Sequence, residues 1–440
     1  MKFSVITFGC QMNVADSNWL ILSLQKRGFT LTLKEKEADF VLLNTCSVRE
    51  KPEQKVYSEI GRFRKKWEQN PSFFVGVGGC VGQQIGEGFF ERFPYVRLVF
   101  GTDGLYLVPD KIEELLNFPH KRISLLSFED FYPEREKVFP EKADVSVFVN
   151  IMQGCDNFCA YCIVPFTRGR QKSRFKAEVL TECKTLVERG AKEITLLGQN
   201  VNSYGQDKYG DGTSFAQLLR EVALIHGLKR LRFTTSHPKD LSLEVIRLFG
   251  ELEVLCPHLH LPLQVGSDRI LKIMGRKYTK KRYLDLIEKL RLARPDISFT
   301  TDLIVGFPGE TEEDFKQTLE VLQIVEFENA YSFKYSDRPG TRAEKMENKV
   351  PEEVKQERLI RLQALQEKIT QKKYKQVVGK EEEVLIETIS KRQGGTNLHF
   401  RGRDLWNRVV NIESSRDIRR ELVKVRITEA KKHSLVGEVR

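Results

Sequence analysis

Three cysteines constrain this chain more than any other feature of its sequence. Cys155, Cys159 and Cys162 are spaced C-x-x-x-C-x-x-C and follow an apolar run at residues 146–152, which predicts a strand leading into a short loop. A loop of this spacing can place three thiolates on three irons of one 4Fe-4S cluster and leave the fourth iron without a protein ligand. Structural zinc is the nearest alternative, but tetrahedral zinc needs four ligands and no suitable fourth ligand follows nearby. We therefore expect an open iron-sulfur cluster at this loop.

Three further cysteines, Cys10, Cys46 and Cys80, each follow an apolar run in the first hundred residues. The predicted elements are strands at 3–8, 39–44 and 73–77 and helices at 17–26 and 54–69. Alternating strands and helices of this kind predict a parallel, doubly wound sheet, whose strands present their carboxyl ends along one ligand-binding edge. The three thiols are therefore expected to converge, although three unrelated buried cysteines would be the simpler alternative.

A second series of strands and helices follows, and its motifs GCDNFCAYC, GQNVNS and GFPGET come directly after strands. The predicted strands are 146–152, 193–197, 230–234, 258–263, 299–305 and 330–335. Six such units predict a partial, open parallel barrel with its active face at the strand ends. Short alternating strands near the carboxyl terminus predict a small all-β barrel. The predicted division is a first domain at 1–117, a connector at 118–143, a second domain at 144–373 and a third at 374–440.

Composition limits the class of protein and of partner. The chain has 72 Lys and Arg against 61 Asp and Glu, a net charge of +11 that suits a polyanionic partner but also suits a plainly solvated surface. No run of about 18 apolar residues is present, so we expect a cytoplasmic protein without a membrane span. Reduced thiols in that compartment favour metal or catalytic duty over disulfides. Cys183 and Cys256 lie in apolar surroundings and are predicted to be buried side chains.

The motifs together resemble the methylthiotransferase family of radical S-adenosylmethionine enzymes over essentially the whole chain. The strings that carry the resemblance are GCDNFCAYCIVPFTRGRQKSR, TFGCQMN, NTCSVRE, GGCVGQ, TSHPKD, FTTDLIVGFPGETEEDF and YSDRPGT. The resemblance implies a flavodoxin-like amino-terminal domain, a partial (β/α)6 radical barrel and a carboxy-terminal all-β TRAM domain that binds RNA. It also implies S-adenosylmethionine as cofactor and two 4Fe-4S clusters, a radical cluster on Cys155, Cys159 and Cys162 and an auxiliary cluster on Cys10, Cys46 and Cys80.

The same resemblance implies a reaction and a substrate. In this family one equivalent of S-adenosylmethionine methylates a sulfur at the auxiliary cluster, and a second supplies the radical that removes hydrogen from an unreactive C–H bond. The motifs look most like the branch that adds a methylthio group to N6-isopentenyladenosine at position 37 of the tRNA anticodon loop. Threonylcarbamoyladenosine of tRNA and an aspartate of a ribosomal protein are the alternative substrates. A donor such as flavodoxin or ferredoxin is the expected source of electrons.

Several residues are candidates for binding the cofactor or the RNA. The expected cofactor contacts are polar or glycine residues at predicted strand ends, with Tyr161 placed near the adenine by the resemblance; they are Tyr161, Gly198, Gln199, Asn200, Ser236, Gln264 and Asp302. The expected RNA contacts are Arg401, Arg403, Trp406 and Arg408, with Lys391 and Arg392 nearby. The alternatives are polar residues that complete turns, and a Trp406 packed into the β-barrel core.

A basic run follows the third cysteine of the radical motif, with Arg168, Arg170, Lys172 and Arg174 at nearly alternate positions. It is predicted to steer RNA or to stabilise a negatively charged cluster, and a solvated loop is the alternative. His237, which precedes a proline, is predicted to shape a turn and to take no part in catalysis. A different class of protein, a non-enzymatic RNA-binding protein with structural metal sites, is the remaining alternative.

Overall fold

Six parallel strands form the first sheet of the computed structural model, which describes residues 1–47, 52–390 and 398–440. The strands are β1 Lys2–Thr7, β2 Thr30–Leu31, β3 Phe40–Thr45, β4 Phe74–Gly78, β5 Val96–Phe100 and β6 Ile123–Leu125. Their order is β2-β1-β3-β4-β5-β6, and the direction of winding reverses between β1 and β3. In a doubly wound sheet of this order, ligands bind outside the carboxyl ends at that reversal. The flavodoxin-like expectation for the amino-terminal part is confirmed.

Helices cover both faces of this sheet: α1 Gln11–Lys26, α2 Pro52–Gly61, α3 Arg64–Gln69, α4 Gly79–Ile85, α5 Gly88–Arg92 and α6 Val108–Asn117. Each face of the sheet has its own hydrophobic core, and the residues of β3 alternate between the two. Phe40 and Leu42 pack into one core, and Val41 and Leu43 pack into the other. Such two-sided burial explains why the strand is an unbroken apolar run. The single helix predicted at 54–69 is two helices, separated by a turn at residues 62–63.

The connector predicted at 118–143 contributes to the first sheet. Its strand β6 pairs with β5, and Trp19 of α1 donates its Nε1 proton to the Glu136 carbonyl at 2.9 Å. Tyr132 and Val138 pack against the core on the α1 face. The sheet therefore extends past residue 117, a difference from the sequence prediction. A three-residue strand is too short to show a period of two in a stretch rich in proline and charge.

The second part of the chain is a partial parallel barrel built from two three-stranded sheets. Their orders are β11-β10-β7 and β12-β13-β14, and a single bridge between Leu231 and Leu255 joins the halves. The strands are β7 Ser146–Asn150, β8 Met152–Gln153, β9 Lys172–Ser173, β10 Glu193–Leu197, β11 Arg230–Thr234, β12 His258–His260, β13 Ser298–Val305 and β14 Asn329–Lys334. The helices are α7 Val164–Thr167, α8 Lys176–Glu188, α9 Phe215–Ala223, α10 Leu243–Glu251, α11 Asp268–Ile273, α12 Lys280–Ala293 and α13 Glu312–Val325. All six predicted barrel strands are present.

A long helix connects this barrel to a small closed β-barrel. The elements are α14 Glu352–Lys375, β15 Glu381–Ile389, β16 Leu398–Arg403, β17 Val409–Ser414, β18 Leu422–Ala430 and β19 Leu435–Val439. Alternate residues such as Val423, Val425 and Ile427 fill the interior, and Tyr374 at the end of α14 packs against the same core. Closure in the order β15-β16-β17-β19-β18 leaves no unpaired strand edge. The predicted all-β module is confirmed.

The small barrel is held at the amino-terminal ends of the radical-barrel strands. Arg230, the first residue of β11, is fully buried and donates to the carbonyls of Arg403 and Glu383 at 2.8 and 2.7 Å. Lys192, just before β10, donates to the Arg420 carbonyl at 2.7 Å. Because these strands are parallel, this contact lies at the end opposite the loop that contains Cys155. Within the described residues, every helix is too short or too polar to cross a lipid bilayer.

Candidate active site at two thiol triads

The first triad, which we call the radical triad, consists of Cys155, Cys159 and Cys162 in the loop after β8. The loop turns tightly, since Gly154 and Phe158 adopt positive φ angles of 76° and 46°. The Cys162 amide donates to the Cys159 carbonyl at 3.0 Å, which closes a turn between the last two thiols. The Ala160 amide donates to the Met274 carbonyl at 2.8 Å and so ties the loop to the end of α11. The three thiols are therefore brought together by local chain geometry.

Burial affects the protonation of two thiols of the radical triad. Desolvation raises the pKa of Cys155, and it raises the pKa of Cys162 to about 12. Arg276 donates from Nη1 to the Cys159 sulfur at 3.6 Å and is itself buried. Thiols of this kind stay protonated until a metal displaces the proton, since coordination strongly favours the thiolate. The donor set thus suits a positively charged iron centre.

A cavity of about 960 Å³ opens beside this loop. Cys159 and Cys162 contribute to its wall together with Arg276 and Tyr278. Exposed Phe158 and Phe166 flank it. The radical triad therefore lies at the wall of an open cavity.

The second triad, which we call the auxiliary triad, consists of Cys10, Cys46 and Cys80 at the carboxyl ends of β1, β3 and β4. These three strands are neighbours in the sheet, and the reversal of winding lies between the first two. Gly9 has a φ angle of +107°, and a methyl group there would overlap the side chain of Cys46. A backbone that can approach a thiol this closely requires glycine. The predicted convergence of the three strand ends therefore occurs, between residues separated by up to 70 positions.

The auxiliary triad differs electrostatically from the radical triad. A hydrogen bond with Cys46, assisted by the charge of Arg168, lowers the pKa of Cys10 to about 5. The Cys10 thiol also lies 3.6 Å from the Asn13 side-chain oxygen. Asn13 is fully buried and donates to the carbonyls of Phe8 and Thr45, which fixes the start of α1 over the strand ends. A partly exposed thiolate near a cation is a good iron ligand.

The two triads lie against one seam between the first sheet and the radical barrel. The Arg168 guanidinium donates to the Asn13 side-chain oxygen at 2.7 Å, and the Asn150 amide donates to Asp16 at 2.7 Å. Helix α4, which contains Cys80, packs against α7, which begins two residues after Cys162. The carboxyl edge of the sheet thus faces the carboxyl edge of the barrel.

Three of the predicted cofactor residues have side-chain atoms that are buried without a hydrogen-bond partner among the described residues. Gln199 contacts Met12 through its amide nitrogen, while its side-chain oxygen is buried without a hydrogen-bond partner. Asn200 Oδ1 and Ser236 Oγ are also buried without partners, although the Asn200 amide donates to Asp240 at 2.7 Å. A side chain at Gly198 would overlap Met152. Buried polar atoms without partners are uncommon, so this group fits a polar ligand such as S-adenosylmethionine.

Three other predicted cofactor residues occupy different surroundings. Tyr161 is half-buried against the barrel core, and desolvation raises its pKa well above the usual range. Gln264 is buried at a φ angle of +71°, and its backbone N–H donates to the Asp302 backbone carbonyl at 2.8 Å. Asp302 lies 3.4 Å from His260 Nε2. Their roles as cofactor contacts stay predictions.

The structure changes the set of candidate RNA contacts. Arg401 is exposed, as an RNA contact requires, and Arg403 is half-buried beside Glu387. Trp406 is half-buried but donates its Nε1 proton to the Asp296 carbonyl at 2.7 Å, so it packs against the radical barrel instead of filling the β-barrel core. Arg408 is buried and ion-paired with Asp404, and we drop it as an RNA contact. Lys391 and Arg392 lie outside the described residues.

Three members of the basic run are buried at the seam instead of facing water. Arg168 contacts Asn13, Lys172 pairs with Asp103 of the first part, and Arg174 pairs with Glu182. Arg170 is exposed and pairs with Asp156. Of the predicted roles, contact with the cluster region fits Arg168, and RNA steering fits none of the three buried members. A run of charges in a sequence does not show which of them cross a domain boundary.

The predicted burial of Cys183 and Cys256 and the predicted turn at His237 are present in the structure. Cys183 and Cys256 are buried, and burial raises the pKa of Cys256 to about 11. His237 accepts a hydrogen bond from the Lys239 amide at 3.1 Å and so shapes a turn. Burial and the charge of Arg276 lower its pKa to about 2, which keeps the ring neutral.

Arg276 and Asn13 contact the thiols of Cys159 and Cys10, and neither could be identified from the sequence. Arg276 is 117 residues from Cys159, so nothing in the sequence links them. Asn13 sits three residues after Cys10, where its place at a helix start gave a weak signal. Within the described ranges, no three cysteine, histidine or acidic side chains are already set at metal-binding geometry. Metal binding is therefore inferred from three features: the thiols themselves, the close approach of the Gly9 backbone to Cys46, and the cavity beside the radical triad.

Comparison with known proteins decides the family. Residues 149–322 match the Radical SAM superfamily, and residues 2–101 match the Uncharacterized protein family UPF0004. A tRNA-2-methylthio-N(6)-dimethylallyladenosine synthase of Nitratidesulfovibrio vulgaris is 56% identical over 439 residues, 99% of this chain and 98% of the relative. The chain belongs to this synthase family. A relative of the same name from Oleidesulfovibrio alaskensis is 54% identical over 99% of this chain and 98% of its own length.

Solved structures agree on the fold. The radical S-adenosylmethionine methyltransferase TsrM of Kitasatospora setae, with cobalamin and a [4Fe-4S] cluster bound, gives a TM-score of 0.56 at 16% identity. That match covers 78% of this chain and 77% of the other. The cobalamin-dependent radical enzyme OxsB gives a TM-score of 0.53 at 14% identity, over 83% of this chain and 56% of that one. The chain is thus a radical S-adenosylmethionine enzyme, and its superfamily implies S-adenosylmethionine and one 4Fe-4S cluster.

Proposed function

We propose that this enzyme adds a methylthio group to N6-isopentenyladenosine at position 37 of a tRNA anticodon loop, giving the 2-methylthio derivative. The observation that carries the proposal is the meeting of two thiol triads at one seam, in a chain that matches synthases of that name along its whole length. A C–H bond at an adenine has no useful acidity, so ordinary acid-base groups are insufficient. Two separate sulfur-rich sites suit a reaction that needs both an oxidant and a sulfur donor.

The radical triad is assigned to the 4Fe-4S cluster that works with S-adenosylmethionine. Cys155, Cys159 and Cys162 would hold three irons, with the fourth left for the cofactor. When bound, this pair supplies one-electron cleavage of a sulfonium and, through it, hydrogen removal from an unreactive carbon. The unsatisfied atoms of Gln199, Asn200 and Ser236 would orient the cofactor from β10 and β11. A small redox protein such as flavodoxin or ferredoxin is proposed as the electron donor.

The auxiliary triad is assigned to a second 4Fe-4S cluster that provides the sulfur. Cys10, Cys46 and Cys80 would again leave one iron open. The seam contacts hold this edge against the barrel, and positioning of reacting groups within a few ångströms contributes strongly to rate.

The small barrel is proposed to bind the tRNA backbone as a TRAM domain. Arg401 is exposed on β16 and is positioned to contact a phosphate, while Arg403 and Trp406 contribute to the surrounding surface. Because this barrel lies at the far end of the radical barrel, it would contact a part of the tRNA away from the reacting base. An Arg401→Ala variant should bind tRNA several-fold more weakly, with a salt slope smaller by about one.

The domain limits predicted from the sequence stay proposals, with one adjustment. We propose a first domain at 1–117 that also takes in β6, a connector in the rest of 118–143, a radical domain at 144–373 and a TRAM domain at 374–440. The proposed site of action is the cytoplasm, where tRNA is found.

The decisive experiment is nucleoside analysis of tRNA. The protein, reconstituted with iron and sulfide without air, is incubated with S-adenosylmethionine, a reductant and tRNA that carries the isopentenyl group. Mass spectrometry should find 2-methylthio-N6-isopentenyladenosine, and a Cys159→Ala variant should give none. Parallel reactions with tRNA carrying threonylcarbamoyladenosine and with ribosomal proteins test the alternative substrates. Product in either of those reactions, with none from isopentenylated tRNA, would contradict the proposal.

A further inference from the structure

Arg168 is the residue of the radical domain that reaches the auxiliary triad. It lies six residues after Cys162, just beyond α7, and only 3% of its side chain is exposed. Its guanidinium crosses the seam and donates from Nη2 to the Asn13 side-chain oxygen at 2.7 Å. The chain thus connects the last thiol of one triad to the neighbourhood of the other through the short helix α7.

The surroundings of Arg168 leave its charge incompletely satisfied. Asp16 is its only ion-pair partner in the described part of the chain, at 3.7 Å. Its Nη1 atom is buried with no hydrogen-bond partner within the described ranges. The Cys80 sulfur is a weak hydrogen-bond acceptor for the guanidinium, and the charges of Cys80 and Cys10 also act on it. A buried cation in such a setting is costly unless negative charge lies nearby.

A negatively charged iron-sulfur cluster on the auxiliary triad would supply that missing charge. Thiolates and inorganic sulfides accept hydrogen bonds, and donors to cluster sulfurs are known to set the potential of iron-sulfur proteins. Arg168 Nη1 would then have an acceptor, and the cluster would be fixed to the radical domain as well as to the first sheet. Burial raises the pKa of Asp16 to about 6, so above that pH Asp16 has the opposite charge in the same environment, and the Asn150 amide holds it in place.

We propose that Arg168 is a positioning residue that raises the reduction potential of the auxiliary cluster and fixes that cluster relative to the radical triad. The inference rests on the proposed function, because it assumes that Cys10, Cys46 and Cys80 hold a cluster. Reduction adds one negative charge to the cluster, so a buried cation nearby favours the reduced form. Asp16 disfavours that form and offsets part of the effect. Arg168 and Asp16 therefore shift the potential in opposite directions.

The test measures the potential of the auxiliary cluster alone. A full-length chain with Cys155, Cys159 and Cys162 changed to Ala removes the radical cluster and its signal. This parent is reconstituted without air, its iron and sulfide are counted, and its cluster is titrated with redox mediators while electron paramagnetic resonance follows the reduced state. Arg168→Gln keeps a hydrogen-bond donor and removes the charge, Arg168→Lys keeps the charge, and Asp16→Asn removes the opposing charge.

The expected results have defined signs. The potential should fall in Arg168→Gln, stay near the parent in Arg168→Lys and rise in Asp16→Asn. Lys172→Met is the matched control, because it also removes a buried cation of the seam, one that pairs with Asp103 and not with the thiols. This control should leave the potential unchanged even if it loosens the seam. A merely structural role for Arg168 would not produce shifts of opposite sign.

Two outcomes would overturn the inference. One is an Arg168→Gln protein with full iron content and the potential of the parent. The other, which decides the matter if Arg168→Gln fails to assemble a cluster, is an Asp16→Asn potential that does not rise. A parent that holds no iron at Cys10, Cys46 and Cys80 would instead contradict the proposed function itself. The two failures are therefore distinguishable.

Discussion

The two thiol triads contain the same three ligands and are built in opposite ways. The radical triad comes from one loop of eight residues, so chain geometry alone brings its thiols together. The auxiliary triad comes from three strand ends up to 70 residues apart, so it exists only when the parallel sheet has formed. Burial raises the pKa of Cys162 to about 12, whereas Cys46 and Arg168 lower the pKa of Cys10 to about 5. The electrostatic surroundings therefore favour the protonated form of Cys162 in the local site and the thiolate form of Cys10 in the assembled site.

The two triads should therefore differ in how well they tolerate damage at the domain boundary. A loop of tight turns keeps its thiols close whatever happens at the domain boundary. The auxiliary site depends on the sheet, on the glycine approach to Cys46 and on the seam contacts of Asn13 and Asp16. Damage to the seam should therefore affect sulfur transfer before it affects cofactor cleavage.

The largest effect is expected from the radical triad. Cys159→Ala should abolish release of 5′-deoxyadenosine from S-adenosylmethionine, because a cluster with two protein ligands is not retained at this loop. Chromatography of anaerobic reactions with dithionite measures the product. Cys256→Ala, which removes another buried thiol of the same domain, should retain cleavage. Cleavage by Cys159→Ala at the parent rate would contradict the assignment.

A variant of the auxiliary triad tests whether the two triads have separate functions. Cys46→Ala should stop formation of the methylthio nucleoside while cleavage to 5′-deoxyadenosine continues, since the radical triad is untouched. Both products can be quantified in one reaction by mass spectrometry. If cleavage were lost as completely as in Cys159→Ala, the two sites would not have separate functions.

A third variant tests how closely the backbone must approach Cys46. Gly9→Ala places a methyl group on the Cys46 side chain and forces a non-glycine residue to a φ angle of +107°, a strain of roughly 1–3 kcal/mol. Iron analysis should show loss of auxiliary iron with radical-site iron retained. Gly28→Ala is the matched control, because Gly28 also has a positive φ angle of +85° but has nothing within 4 Å of the added methyl. Equal iron loss in both variants would show that strain, and not the contact with Cys46, is responsible.

The smallest effect is expected where the connector contacts the end of α1. Glu136 of the connector accepts hydrogen bonds from Ser23 of α1 and from Arg27 just after it, and Lys26 and Arg27 lower its pKa to about 2. Glu136→Gln should lower the free energy of unfolding by about 1 kcal/mol at neutral pH. A carboxylate with a lowered pKa stabilises above its unfolded-state pKa of about 4.5, and this contribution is lost as the pH falls towards 2. Denaturant titrations at pH 7 and pH 3 should show a smaller difference at the lower pH, and a difference that grew would contradict the assignment.

Much of this architecture could be predicted from local sequence. The spacing of Cys155, Cys159 and Cys162 is a property of one loop, and the six barrel strands are apolar runs between amphipathic helices. Convergence of Cys10, Cys46 and Cys80 could also be predicted, because parallel strands share one edge. Each of these predictions depends either on the spacing of residues within a short segment or on the rule that parallel strands end at the same edge of a sheet.

The features that could not be predicted depend on contacts between domains. Arg408 is of a residue type that often contacts RNA phosphates. In the structure it is buried, and Asp404 and Glu382 neutralise its charge. Lys172 belongs to a run that reads as a solvated loop, but it pairs with Asp103 across the seam. Strand β6 is too short to show a period of two, and it forms because the edge of β5 is free to pair. A sequence does not show which charges will meet a partner from another domain.

The central claim is that two separate open clusters are held by two separate thiol triads. The most direct measurement is iron and sulfide analysis of three anaerobically reconstituted proteins: the parent, the Cys155, Cys159 and Cys162 triple alanine variant, and the Cys10, Cys46 and Cys80 triple alanine variant. We predict about eight irons per chain in the parent and about four in each variant. A parent with about four irons, or either variant with about eight, would contradict the claim.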